Sequence, residues 1–235
     1  MRHHPIMAIC AVWAAGALGQ IPNGPGGTRN GTPPEIALRP VIGAPYSGEE
    51  VGEHVQTQAD GTQVTSILTP TKLYRDSAGR TRREWPLGGN GAQVAIEITD
   101  PVAHIKYTLD TVNKVAHRQQ LARKLITRTE TSEEGTVPRT TTVKLGHRTI
   151  EGVLTEGTRL TTTWPAISVV RETWTSPGLQ ITLMGKSTDP RNGEETWRLK
   201  NVDLGEPPAN LFKPPREYKV VDETGEFTIT RGARR

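Results

Sequence analysis

The chain has 235 residues, 34% of them hydrophobic, and a formal charge of +4, with 29 basic residues interspersed among 25 acidic ones. Such an even mixture lacks the basic stripe that phosphate neutralisation requires, so nucleic acid is not an expected partner. The single cysteine, Cys10, excludes an intrachain disulfide framework and a thiolate metal site.

Met1-Arg2-His3-His4-Pro5 is a short basic start, followed at 6–19 by an uncharged, mostly apolar run. Ala17-Leu18-Gly19 places small residues where a signal peptidase reads, which predicts cleavage before Gln20. The run is shorter than the roughly 20 apolar residues needed to cross a bilayer. No second run of that length follows. The expected product is periplasmic or secreted, cysteine-free, and without stable membrane insertion after the leader is removed. Bulky Ile9 immediately before Cys10 argues against a lipid anchor there. Residues 20–43 read as a disordered linker, since Pro22-Asn23-Gly24-Pro25-Gly26-Gly27 and Asn30-Gly31-Thr32-Pro33-Pro34 hold breakers and almost no core residues.

From 44 to 230 the pattern predicts one β domain. Runs at 50–58 and 62–76 flank Ala59-Asp60-Gly61, an Asp-Gly hairpin signal. Asp76-Ser77-Ala78-Gly79 turns the chain into 80–85. Residues 93–99 alternate Val94, Ile96 and Ile98 against Gln93, Ala95, Glu97 and Thr99, so one face is buried and the other wet. Residues 104–109 repeat that pattern and return at 114–118 through Asp110-Thr111-Val112-Asn113. Leu121, Leu125 and Ile126 give 119–128 a helical spacing, with extension of the preceding strand as the alternative. Further strands are expected at 140–145, 147–150, 153–163, 168–174, 179–187 and 194–202, separated by Gly or Pro turns. One helical turn at 207–212, strands at 217–221 and 226–230, and a basic tail at 231–235 complete the reading. Antiparallel hairpins with little helix imply a single curved sheet forming an open half-barrel, with a two-sheet sandwich as the alternative.

Catalytic signatures are missing. There is no G-x-S-x-G elbow, H-E-x-x-H, phosphate loop or dinucleotide fingerprint, so the expectation is a protein that is not an enzyme and takes no cofactor. His104 and His117 face each other only in one of two hairpin registers, and two histidines make half a zinc site, so no metal is expected. Glu84, Glu97, Glu151, Glu156 and Glu172 sit in strand runs and read as solvent-face ladders paired with arginines across strands.

The aromatic residues are more suggestive. Trp and Tyr suit positions with one buried end and one end reaching water or ligand. Along 168–174, Val170, Glu172 and Trp174 share one face, while Val169, Arg171 and Thr173 share the other. Leu179, Ile181 and Leu183 align in the next strand, as do Trp197 and Leu199 in the one after. Ile96, Ile98, Tyr107, Trp174, Leu183 and Trp197 are the predicted lining of a concave, ligand-binding sheet.

A resemblance adds to this. Leu145-Gly146-His147-Arg148-Thr149-Ile150-Glu151-Gly152-Val153 leads to Glu156-Gly157-Thr158-Arg159 and then to Glu172-Thr173-Trp174-Thr175-Ser176-Pro177-Gly178-Leu179. Ser187-Thr188-Asp189-Pro190-Arg191-Asn192-Gly193-Glu194, Asn201-Val202-Asp203, Pro207-Pro208-Ala209-Asn210-Leu211-Phe212 and Pro214-Pro215-Arg216-Glu217-Tyr218 follow. This order resembles a group of uncharacterised exported bacterial proteins. Its last five elements look like the carboxyl half of LolA-type periplasmic lipoprotein carriers and their RseB-type relatives. The resemblance implies a half-open barrel that holds an apolar or lipidic ligand or a lipoprotein. The alternative role is an envelope adaptor or stress sensor that contacts an envelope protein by a sheet edge or by the hairpin at 189–193. The long helices that lid the LolA cavity have no counterpart beyond 119–128.

Overall fold

The computed structural model describes residues 40–58, 60–87, 93–121 and 138–229. The expected leader, most of the linker, residues 122–128 of the expected helix and the basic tail lie outside these ranges. Alternating β-branched and polar residues generate twelve strands among the described residues: β1 (Tyr46–Thr57), β2 (Gln63–Arg75), β3 (Thr81–Pro86), β4 (Val94–Asp100), β5 (Ile105–Asp110), β6 (Val115–Gln120), β7 (Arg139–Ile150), β8 (Val153–Trp164), β9 (Ile167–Ser176), β10 (Ile181–Asp189), β11 (Gly193–Asp203) and β12 (Lys219–Asp222).

All twelve join in one sheet of order β12-β6-β5-β4-β3-β2-β1-β11-β10-β9-β8-β7. Two meanders, β1 to β6 and β7 to β11, meet along the β1–β11 seam. The sheet is curved and open: β7 and β12 end it without pairing to one another. This is the predicted half-barrel with little helix, and the sandwich is not formed. Curvature has local causes. Register shifts fall between Glu50 and Gly52 against β2, between Ser47 and Glu49 against β11, between Thr182 and Met184 on β10, and between Lys144 and Gly146 on β7. Each adds a residue to one strand, which bends it and increases its twist. Gly146, at φ 88, is what lets β7 continue as one strand where the sequence suggested two.

Two apolar clusters hold the sheet. Tyr46, Val153, Ile181, Leu183 and Leu199 form the first, and Ile98, Leu109, Ala116 and Phe212 the second. Leu73 packs on the first and its neighbour Tyr74 on the second, so consecutive side chains of β2 serve opposite faces. Phe212 comes from the 3-10 turn Ala209–Phe212, which packs on β3 and β4. Arg82 fixes that turn by donating from Nη1 to the Leu211 carbonyl at 2.9 Å.

Three expectations are corrected and one open register is settled. Gln119 and Gln120 end β6 rather than start a helix, because they continue the ladder opposite Lys106 and Ile105. Residues 226–229 form no strand, and Phe227 instead stacks on His117 with ring centroids 4.5 Å apart. β12 pairs with β6 in parallel, breaking the all-antiparallel pattern. His104 and His117 do not face each other: His117 lies opposite Thr108, and His104 sits in the turn before β5 at φ 56. Among the described residues no helix is long and apolar enough to cross a membrane.

Candidate ligand-binding face

The site begins with three residues of β1. Alternation puts Gly48, Glu50 and Gly52 on one face. The glycines leave room for the side chains of β11 to lie down. A Cβ at Gly48 would meet Leu199 Cδ1 at 3.0 Å, and one at Gly52 would meet the Thr196 carbonyl at 2.6 Å. Trp197 stands opposite Gly52 on one side and Gly185 of β10 on the other. A Cβ at Gly185 would come within 2.6 Å of the indole Nε1. The result is an indole laid across a glycine floor, flanked by Leu68, which pairs with Gly52.

Charged groups interrupt this surface. Glu50 Oε1 is 3.8 Å from Arg83 Nη2, and the two side chains are only 23% and 27% exposed. Arg83 in turn lies over the Trp85 ring at 5.6 Å. Burial pushes the Glu50 carboxyl above its ordinary value; Arg83 pulls it down and Glu195 adds to the rise. Unbroken register from Glu195 through Ser187 places Arg171 on the same face. Burial pulls the Arg171 guanidinium below its usual range, with Glu195 opposing. Removal of water is the largest cause in both cases, so each charge is held where solvent reaches it poorly.

At the mouth of the first cluster, Arg75 does structural work. It is buried, donates from Nε to the Ala44 carbonyl at 2.8 Å and from Nη2 to the Leu179 carbonyl at 2.6 Å, and lies 4.9 Å over Tyr46. Burial lowers its pKa and raises that of Tyr46.

The six predicted lining residues fall in four places. Ile96, Ile98 and Tyr107 share one face and belong to the second cluster, beneath the Phe212 turn. Leu183 is fully buried in the first cluster beside Leu199. Trp197 lies on the glycine floor. Trp174 is on the opposite face: it pairs with Met184, the neighbour of Gly185. There it lies over Gly157 and carries the Arg148 guanidinium 3.7 Å above its ring. Around Trp174 that opposite face is wet, as the Arg159–Glu172 and Lys186–Glu194 ion pairs at 2.7 and 2.8 Å indicate. Of the expected ladders, Arg159–Glu172 does cross between strands, whereas Glu84 pairs with Arg82 on its own strand and Glu97 with Lys106.

Glu50, Arg83, Arg171 and Glu195 were not singled out by sequence reasoning as a group. The available signal was Gly48-Glu49-Glu50-Val51-Gly52 on β1, a glycine two residues to either side of Glu50, which marks a face where something lies close to the backbone. Apart from this face, a shallow depression of about 280 Å³ lined by Ala78, Arg80, Asp100, Val102 and Ala103 lies at the turn end of the sheet. Among the described residues no group of three or more His, Cys, Asp or Glu side chains is arranged to hold a metal ion.

No protein-family model and no curated protein matches the chain. Solved structures do align with it. MucB in complex with MucA aligns over 76% of this chain and 57% of its own, at 12% identity and a TM-score of 0.41. The MucA/MucB complex of Pseudomonas aeruginosa gives 75%, 58%, 12% and 0.41. A LolA superfamily protein from Nitrosomonas europaea aligns over 73% of this chain and 90% of its own, at 7% identity and a TM-score of 0.34. The chain thus spans less than two thirds of the MucB chains it aligns with. Likeness at this level says nothing of what the chain binds.

Proposed function

We propose that the chain is an exported, non-enzymatic binding protein that takes an apolar or lipidic ligand, free or attached to a protein, on the face bearing Trp197. The observation that supports this most is the glycine floor beneath Trp197, bordered by the half-buried charges Glu50, Arg83, Arg171 and Glu195. An acyl chain laid along Trp197 and Leu68 gains from release of water. The charge belt leaves a polar head with partners at the rim. No paired nucleophile and base is needed for such a role, and the affinity resides in dispersion and desolvation.

The test is titration of a fluorescent fatty-acid probe into the folded chain, in wild type and in two tryptophan variants. Trp197→Ala removes a large aromatic contact and is expected to weaken binding by roughly tenfold or more, on the order of 1.5–3 kcal/mol for a buried apolar side chain. Trp174→Ala, on the other face, is expected to leave it within about twofold. No saturable binding to well-folded protein ends the proposal, and loss of binding only in Trp174→Ala moves the ligand to the opposite face.

A further inference from the structure

We propose that β7 is a docking strand for an extended acidic segment of a partner protein, which adds to the edge of the sheet. This contact is separate from the Trp197 face. Among the described residues β7 ends the sheet with β8 as its sole neighbour, so alternate residues direct their N–H and C=O groups away from the ladder. It is twelve residues long, contains no proline, and is exposed on both faces from 139 to 144. The edge at the far end, β12, has only four residues and carries both Lys219 and Asp222.

Charge selects the partner. β7 contains Arg139, Lys144, His147 and Arg148 and no acidic residue. Arg148 turns onto Trp174, and His147 lies 3.6 Å from Glu156. Arg139 and Lys144 are exposed and have no ion-pair partner among the described residues. Exposed Val143 lies between Arg139 and Lys144 in the strand and offers an apolar contact. Charges on an edge strand also discourage aggregation, and this explains why a second copy of the chain is a poor occupant: two β7 strands would oppose like charges. The same charges attract an acidic strand, whose backbone supplies the ladder and whose side chains supply the selectivity.

The probe is a fluorescein-labelled nonapeptide of alternating glutamate and valine, titrated into the full chain and followed by anisotropy. Saturable binding is expected, severalfold weaker at 200 mM than at 50 mM salt as the charges are screened. The double variant Arg139→Glu, Lys144→Glu should bind at least tenfold more weakly with an unchanged thermal unfolding curve, since both side chains are exposed. A peptide N-methylated at alternate amides should fail in one of its two registers. The proposal is overturned by absence of binding, by equal binding of the lysine-for-glutamate peptide, by indifference to the double variant, or by self-association of the chain through β7 in sedimentation. The double variant should bind the fatty-acid probe like wild type, so this contact and the Trp197 face fail independently.

Discussion

Two charged side chains show opposite uses of burial. Arg75 is desolvated but donates to two backbone carbonyls, joining β2 to residue 44 and to the β9–β10 turn. Replacing it by Ala strands those carbonyls and removes the lid from Tyr46. The expected loss is about 3 kcal/mol, read from the midpoint of urea unfolding, and Arg75→Lys should recover only part of it. Glu50 is different, because burial outweighs its attraction to Arg83 and its pKa rises on folding. A carboxyl raised in the folded state binds its proton more tightly there, so its ionisation costs stability above the raised value. That cost disappears as pH falls below the ordinary value of 4.5. Glu50→Gln should therefore unfold at a higher temperature than wild type at pH 7, and the gap should close by about pH 4. A gap that widens on acidification would mean that the Arg83 pairing dominates instead.

At the scale of elements, alternation was enough to place most strands, because a one-residue slip would exchange the buried and wet sides of each. Ile96 and Ile98 against Glu97 is the plainest case: Ile98 is buried while Glu97 reaches Lys106 at the surface. The faces of β9 were legible in the same way, with Trp174 and Arg171 on opposite sides. What alternation could not reveal is which strand follows which in space. The β1–β11 seam joins residues about 150 apart, and only that seam brings Glu50 within reach of Glu195 and sets Trp197 opposite Gly52. Local pattern also missed the parallel β12 and turned Gln119 and Gln120 into a helix, since leucine spacing beyond them resembles both periods. The glycine floor itself yields a prediction. Gly52→Ala places a methyl against the backbone oxygen of Thr196, which cannot move without breaking the seam. It should cost about 1–3 kcal/mol. At Gly185 the obstacle is the tip of the Trp197 ring, so Gly185→Ala should instead rotate the indole and shift its fluorescence while costing less stability.

For the whole molecule, the two clusters lie on opposite faces and share no residue, yet one sheet carries both. Energetic coupling between them must pass through the backbone of β2, where Leu73 and Tyr74 are adjacent, or through the seam. Side chains that do not touch or share neighbours add within about 0.3–0.5 kcal/mol, whereas members of one cluster interact through the same cavity. Leu109→Ala, in the second cluster, is expected to cost about 2–5 kcal/mol, and Ile181→Val, in the first, about 0.5–1.5 kcal/mol. Their double variant should lose the sum, in a single cooperative transition, because β1–β11 and β1–β2 pairing keeps the meanders in register. Leu109→Ala combined with Ile98→Val, its neighbour in the same cluster, should depart from additivity by at least 0.5 kcal/mol. Denaturant titrations of wild type, the three single variants and the two double variants decide the matter. Strong coupling between Leu109 and Ile181 would show that the sheet transmits packing from one face to the other. Two separate transitions would show that the seam is weaker than either cluster and that the halves of the sheet fold as independent units.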